Sequence, residues 1–161
     1  MTEFMIALSF LGSGYFLTGL ALVALALFLI WKKPLRYVWL IAINLLLSSL
    51  VNEGLKNVFQ KPRPNLNQLV AVTGYSFPSG HAMVSTAFYG LLIFLCITLM
   101  KHRAKYFFSG FLGLLILAIG LSRVYLGVHY LSDVLGGFAV GTAWVVLMIT
   151  VYSCIFRAKR I

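Results

Sequence analysis

Five long apolar segments, separated by short polar stretches, make up most of the chain. None carries a charge in the middle of its run. The segments cover approximately residues 4–31, 35–58, 79–100 (or 81–100), 106–123 and 131–156. Each approaches or exceeds the ~20 residues that a helix needs to cross a bilayer. The pattern predicts an all-α, polytopic transmembrane helical bundle of about five membrane helices, in one integral-membrane domain over residues 1–161.

Composition places the chain outside the class of soluble domains. Hydrophobic residues make up 61% of the 161 positions and charged residues only 10%, whereas a soluble domain carries roughly 25% charged residues. The formal net charge is nevertheless +10. A nucleic-acid partner would require these cations to cluster on a soluble face, and the apolar pattern leaves no such face. We therefore expect the lipid bilayer, and not nucleic acid, to surround the protein.

The distribution of the cations predicts an orientation. Alternating helices place nine of the thirteen basic residues on one side, and such an excess marks the cytoplasmic side of a membrane protein. The nine residues are Lys32, Lys33, Arg36, Lys101, Arg103, Lys105, Arg157, Lys159 and Arg160. The remaining four, which fall on the opposite side, are Lys56, Lys61, Arg63 and Arg123. We expect an integral protein of the cell membrane, most simply the bacterial plasma membrane.

Three of these four cations belong to polar blocks with regular spacing. The blocks read Lys-x6-Arg-Pro, then Pro-Ser-Gly-His, then Ser-Arg-x5-His-x3-Asp. Their positions are Lys56, Arg63, Pro64, Pro78, Ser79, Gly80, His81, Ser122, Arg123, His129 and Asp133. Ionisable groups near a membrane interior are costly and therefore mark functional sites. Helix order brings all three blocks to the extracytoplasmic side, so we expect one site at that face.

The first two blocks and Arg123 have the chemistry of a phosphate site. Ser79 is a candidate N-cap for the third helix, and a helix N-terminus offers free N–H groups to an anion. Gly80 allows a phosphate to approach the backbone closely. Arg63 and Arg123 can each bind phosphate oxygens through a planar fork, and Lys56 adds a point charge. Together these groups can stabilise charge on phosphorus without a metal.

The histidines and the aspartate supply nucleophile and acid. His129 and Asp133 are four residues apart and would share a face of a helix. A carboxylate bonded to one ring nitrogen of His129 would raise the basicity of the other, which makes that nitrogen a nucleophile toward phosphorus. His81 can protonate the leaving alkoxide and then activate water.

The three blocks resemble the type 2 phosphatidic acid phosphatase superfamily, which includes bacterial lipid phosphatases and vanadium haloperoxidases. The resemblance implies that His129 is a phosphohistidine nucleophile, Asp133 its partner and His81 the general acid. It implies a phosphate site with neither metal nor cofactor, formed by Lys56, Arg63, Ser79, Gly80 and Arg123. Pro64, Pro78 and Ser122 would shape the backbone.

The expected function is that of a metal-independent membrane lipid phosphatase. The resemblance implies a lipid phosphomonoester or pyrophosphate as substrate: undecaprenyl pyrophosphate, phosphatidylglycerol phosphate, phosphatidic acid or lipid A phosphate, of which we favour the first two. A lipid phosphotransferase on the same scaffold, a vanadate haloperoxidase and a non-catalytic lipid-binding or transport protein are the alternatives. Hydropathy disfavours the haloperoxidase, and His81, His129 and Asp133 disfavour the non-catalytic protein. The sequence identifies no protein partner.

Other positions carry expectations of their own. Members of this superfamily usually have six membrane helices, whereas we count five here. With five helices the basic residues place the N-terminus outside the cell, as expected of a naturally short or truncated member. We expect Lys61 to be an exposed loop cation and Glu53 to pair with Lys56 one helical turn away. Gly137 and Gly141 form a small-xxx-small pair suited to close helix packing within the chain.

Overall fold

The computed structural model describes residues 1–32, 34–65 and 68–157, and for residue 157 it describes only the backbone. This part of the chain forms six helices. They are α1 (Thr2–Phe10), α2 (Gly14–Ile30), α3 (Arg36–Phe59), α4 (Gly80–Leu99), α5 (Ala104–Tyr125) and α6 (Leu131–Arg157). Helices α3 to α6 are each long and apolar enough to cross a membrane, and α1 with α2 would form a fifth span. The predicted all-α membrane bundle is confirmed. Of the cations expected to be cytoplasmic, Lys33, Lys159 and Arg160 lie outside the described residues.

The first predicted helix is broken, and in this respect the sequence prediction is wrong. Helices α1 and α2 meet at an angle of 49°. Ser13 is extended and its side chain accepts a hydrogen bond from the backbone N–H of Phe16 at 3.3 Å, so it begins a new helix. At Gly12 an added Cβ would lie only 2.4 Å from Ile119 Cγ2 of α5. Hydropathy missed the break because the residues on both sides of it are apolar.

Tyr89 of α4 stabilises this corner. Its hydroxyl donates a hydrogen bond of 2.7 Å to the backbone carbonyl of Leu11, and its side chain is buried. A carbonyl at a helix end in an apolar environment needs such a donor. The corner between α1 and α2 is thereby fixed against the centre of the bundle.

Tyr89→Phe should lower the stability of the protein by about 1 kcal/mol, because the carbonyl of Leu11 loses its donor. The measurement is the melting temperature of the purified protein in detergent. Tyr15→Phe serves as the control, since Tyr15 is 89% exposed. Equal melting temperatures for the two variants would contradict a stabilising role for the Tyr89 hydroxyl.

Helix α4 is the centre of the bundle and packs mainly against α6 and α5. Gly137 and Gly141 permit the close approach of α6: an added Cβ would lie 2.9 Å from Ser79 O at the first position and 2.7 Å from Met83 O at the second. The prediction that this glycine pair packs within the chain is confirmed. Asn44 of α3 joins the same centre, because its side-chain amide donates to Ala87 O at 3.0 Å.

One end of the bundle, which we call the site end, gathers the last turns of α3 and α5 and the first turns of α4 and α6. The α3–α4 loop is attached there by backbone hydrogen bonds. Leu69 N–H donates to Leu126 O at 3.1 Å, and Ser79 N–H donates to Asp133 O at 3.0 Å. The second bond joins the starts of α4 and α6, which carry two of the three sequence blocks.

Candidate active site

The fold brings the three polar blocks together at the site end. The guanidinium Nη1 of Arg63 lies 3.2 Å from His129 Nε2, which joins the first block to the third. Lys56 lies beside the second block, since a Cβ added to Gly80 would be 3.9 Å from Lys56 Nζ. His81 lies within electrostatic reach of Arg123, His129, Lys56 and Arg63. The convergence expected from helix order is therefore present.

The start of α4 forms one wall of the site. Ser79 occupies the N-cap position, as predicted, although its side chain makes no capping hydrogen bond. The N–H groups of the first helical turn have no partners within a helix. Gly80 leaves no room for a side chain, because an added Cβ would lie 2.9 Å from Asn52 Oδ1. This wall can therefore present backbone N–H groups and a serine hydroxyl to an anion.

Arg63 and Arg123 are held in different ways. Arg63 donates to three backbone carbonyls, those of Gly74 at 2.9 Å, Val128 at 3.0 Å and Thr73 at 3.1 Å. Arg123 is almost fully buried, and its Nη1 donates to the hydroxyl of Ser9 in α1 at 2.5 Å. Each guanidinium is therefore oriented before any ligand binds.

Two polar atoms of the site are buried without a partner. Among the described residues, Ser79 Oγ and Arg123 Nε are inaccessible to solvent and make no hydrogen bond. Leaving a buried donor unpaired costs ~1–3 kcal/mol. An anion that accepted a hydrogen bond from either atom would remove that cost there.

His129 lies in the turn that precedes α6 and not on the helix itself. The expectation that it shares a helical face with Asp133 is therefore wrong, although the two side chains lie close together. Burial, together with the charges of Arg63 and Arg123, lowers the pKa of His129 against the opposing effect of Asp133. The imidazole is consequently neutral at pH 7, which is the form that has a nucleophilic lone pair.

Asp133 is fully buried and receives three hydrogen bonds. Lys61 Nζ lies 2.5 Å from Oδ1, while Ser76 Oγ and the Tyr130 N–H donate to Oδ2 at 2.5 and 2.9 Å. Lys61 lies in the α3–α4 loop, as expected, and its side chain is 35% exposed, but its ion pair with Asp133 was not expected. A buried carboxylate needs a counter-charge, and Lys61 supplies it.

Several residues at the site were missed by the sequence analysis. Ser9, Asn52 and Ser76 are all buried, and each bonds to one of the sequence blocks or to residues beside it. A polar residue inside an apolar run was the available signal for Ser9 and Asn52. Ser76 stands in a polar loop, where nothing distinguishes it from its neighbours.

The predicted ion pair of Glu53 and Lys56 is confirmed at 3.9 Å. Glu53 is largely exposed, so the pair is a weak one. Among the described residues no three His, Cys, Asp or Glu side chains are grouped as ligands of a metal ion. The donors that converge on the site are cations, N–H groups and hydroxyls, a set that suits an anion.

Comparisons with known proteins identify the family of the chain. Residues 36–157 match the PAP2 superfamily. The chain is 32% identical over 148 residues to phosphatidylglycerophosphatase B of Bacillus subtilis, covering 88% of this chain and 70% of that protein. It is also 32% identical over 128 residues to an undecaprenyl-diphosphatase of Sulfolobus acidocaldarius, covering 74% of this chain and 57% of the relative.

A solved structure has the same fold. The crystal structure of a transmembrane PAP2-type phosphatidylglycerolphosphate phosphatase from Bacillus subtilis superposes with a TM-score of 0.89 at 30% identity. The superposition covers 97% of this chain and 78% of that one. On its fold, its three polar blocks and these matches, the chain belongs to the PAP2 superfamily and is a membrane lipid phosphatase of that family.

Proposed function

We propose that the protein hydrolyses a lipid phosphomonoester or lipid diphosphate through a phosphohistidine formed on His129, without a metal. The observation that carries this proposal is that Arg63 meets His129 and Lys56 meets the start of α4 in the same site as two buried, unpartnered atoms, Ser79 Oγ and Arg123 Nε. A phosphate group is the ligand that would satisfy them. It would also neutralise the repulsion among Lys56, Arg63 and Arg123.

In the first step the Nε2 lone pair of His129 attacks phosphorus. The phosphate accepts the hydrogen bond that Arg63 Nη1 otherwise donates to Nε2, which frees the lone pair for attack. A P–N bond forms as the P–O bond to the lipid breaks. His81 carries a proton once the charge of the bound phosphate offsets the surrounding cations, and it gives that proton to the departing oxygen. Lys56, Arg63, Arg123, Ser79 and the first N–H groups of α4 stabilise the added charge on the equatorial oxygens.

In the second step water attacks the phosphohistidine. His81, now neutral, accepts the proton of the water as its oxygen bonds to phosphorus. The P–N bond breaks, His129 recovers its lone pair, and inorganic phosphate leaves. His81 is then protonated again, so the cycle consumes one water and needs no external acid or base.

The substrates that we favour are phosphatidylglycerol phosphate and undecaprenyl pyrophosphate. The relatives named above act on these two lipids, and the site lies at one end of the helical bundle, where a lipid headgroup would meet it. We place the site at the extracytoplasmic face, because Lys32, Arg36 and the 101–105 turn lie at the opposite end of the spans.

The test is phosphate release from a panel of lipid phosphates by the purified protein in detergent with excess chelator. The panel contains phosphatidylglycerol phosphate, undecaprenyl pyrophosphate, phosphatidic acid and lipid A. Release from at least one lipid is expected, with competitive inhibition by vanadate, which mimics pentacoordinate phosphorus. A strict requirement for an added divalent metal would contradict the metal-free mechanism. If the phosphate of the substrate is radiolabelled, recovery of the label on an acceptor lipid, and not as inorganic phosphate, would identify a phosphotransferase.

A further inference from the structure

His129 and Asp133 do not form a direct hydrogen bond. Their nearest atoms, His129 Nδ1 and Asp133 Oδ2, are 3.7 Å apart, which is longer than a hydrogen bond allows. The hydroxyl of Ser76 lies between them, 3.3 Å from Nδ1 and 2.5 Å from Oδ2. All three side chains are almost completely buried. The carboxylate therefore reaches the imidazole through a serine.

The partners of these groups define the direction of each hydrogen bond. Arg63 Nη1 has only hydrogens to offer, so His129 Nε2, 3.2 Å away, must be the acceptor in that contact. Since the imidazole is neutral, its one hydrogen is then on Nδ1. The Asp133 carboxylate can only accept, so Ser76 donates its hydroxyl hydrogen to Oδ2. The serine oxygen is left to accept from Nδ1–H, and the chain of bonds is complete.

The backbone holds Ser76 in this position. Its N–H donates to the carbonyl of Lys61 at 2.8 Å, and the ammonium of the same lysine lies 2.5 Å from the other oxygen of Asp133. Lys61 therefore holds both the serine and the carboxylate to which the serine donates. Ser76 is fully buried and has little room to take another rotamer.

We propose that Ser76 is a positioning residue that transmits the influence of Asp133 to His129 and keeps the imidazole hydrogen on Nδ1. The inference rests on the proposed function, because it concerns the nucleophile of that reaction. Ser76 itself forms no bond to phosphorus and transfers no proton to the substrate. Together with the Arg63 donor at Nε2, it makes Nε2 the nitrogen that carries the lone pair and aims that lone pair into the phosphate site.

The first test compares Ser76→Ala with Ser48→Ala, using dioctanoyl phosphatidic acid in detergent as the probe. Ser48 is also fully buried, but within the described part of the chain its hydroxyl bonds only to Leu45 O of its own helix. Ser76→Ala should lower kcat by about 10- to 100-fold with little change in KM, as loss of an orienting partner does for other histidines. Ser48→Ala should keep the wild-type kcat. A Ser76→Ala enzyme with a kcat within about 3-fold of wild type would overturn the proposal.

Coupling to the aspartate distinguishes positioning from a merely structural role. If Ser76 acts through the carboxylate, the kcat of the double variant Ser76→Ala, Asp133→Asn should be no more than about 3-fold below the kcat of Asp133→Asn alone. Multiplicative losses would show that the serine acts independently, and would overturn the proposal.

The tautomer provides a readout that needs no turnover. ¹⁵N spectra of histidine-labelled protein at pH 7.5, with His129→Gln used to assign the signal, should show the wild-type His129 protonated on Nδ1. Ser76→Ala should shift that signal toward a mixture of tautomers while the melting temperature stays well above the assay temperature. A wild-type signal from the Nε2-protonated form would overturn the inference. A wild type that releases no phosphate from any lipid in the panel, but shows the Nδ1 form, would instead contradict the proposed function.

Discussion

Replacing His129 with alanine should reduce phosphate release by at least about 10⁴-fold, the scale of loss seen when other covalent enzymes lose their nucleophile. No described side chain close to the site can take over the attack. His81 lies on α4, in a different block, and Asp133 is committed to Lys61, Ser76 and the Tyr130 N–H. The proposed binding groups, including Arg63 and Arg123, remain in place. Substrate affinity should therefore change far less than turnover.

The measurement is initial-rate phosphate release under the same detergent conditions, with His102→Ala as the matched control. His102 is exposed in the turn between α4 and α5, at the opposite end of these helices from the site end, and its removal should leave the rate unchanged. Labelled lipid should yield a phosphoprotein that is stable in base and labile in acid, as a P–N bond requires. Retention of more than a few per cent of wild-type turnover by His129→Ala would show that another group attacks phosphorus.

His81→Ala should behave differently from the loss of the nucleophile. Without His81 as the proposed general acid, formation of the proposed phosphohistidine should slow in proportion to the basicity of the leaving group. An aryl phosphate, whose leaving group needs no proton, should still label the variant, while the second step remains slow because water is no longer activated. A labelled intermediate that accumulates in His81→Ala and is absent from His129→Ala would assign the two histidines to separate steps.

Hydropathy and helix order predicted the spans and the meeting of the three blocks, because both depend on patterns that are local along the chain. The glycine pair was predictable for the same reason, since Gly137 and Gly141 are one turn apart on a single helix. The break before Gly14 was not, because it depends on a serine cap and on Ile119 of a distant helix. An apolar run reports a preference for lipid and says little about whether the helix within it is continuous.

The polar partners of the site were harder to predict than its principal residues. Lys61 pairs with a residue 72 positions away, and Ser9 with one 114 positions away. Such bonds are set by the folded geometry and leave no spacing signal in one sequence. Asp133 and Arg123 did imply that partners must exist, because a buried charge without one is costly. The sequence thus indicated the need for such residues without identifying them.

Gly137→Ala tests how the packing of α6 on α4 supports the site, and we expect it to lose both stability and turnover. An added Cβ would lie 2.8 Å from Ala82 Cβ and 2.9 Å from Ser79 O, so the first turn of α4 must move. Overpacking of this kind costs ~1–3 kcal/mol. The displaced turn carries Ser79 and Gly80, two of the proposed phosphate ligands, and its bond from Ser79 N–H to Asp133 O would be strained or lost.

Gly141→Ala separates the two effects, because it produces a similar clash one helical turn farther from the phosphate. Its Cβ would lie 2.7 Å from both Met83 O and Thr86 Cβ, neither of which belongs to the polar blocks. We therefore expect both variants to melt earlier in detergent, with a loss of kcat, measured well below either melting temperature, that is much larger for Gly137→Ala. Gly113→Ala is the control for helix propensity, since its Cβ meets nothing within 4 Å. Equal losses of kcat at Gly137 and Gly141 would mean that turnover depends on the general closeness of the two helices and not on the position of the α4 N-terminus.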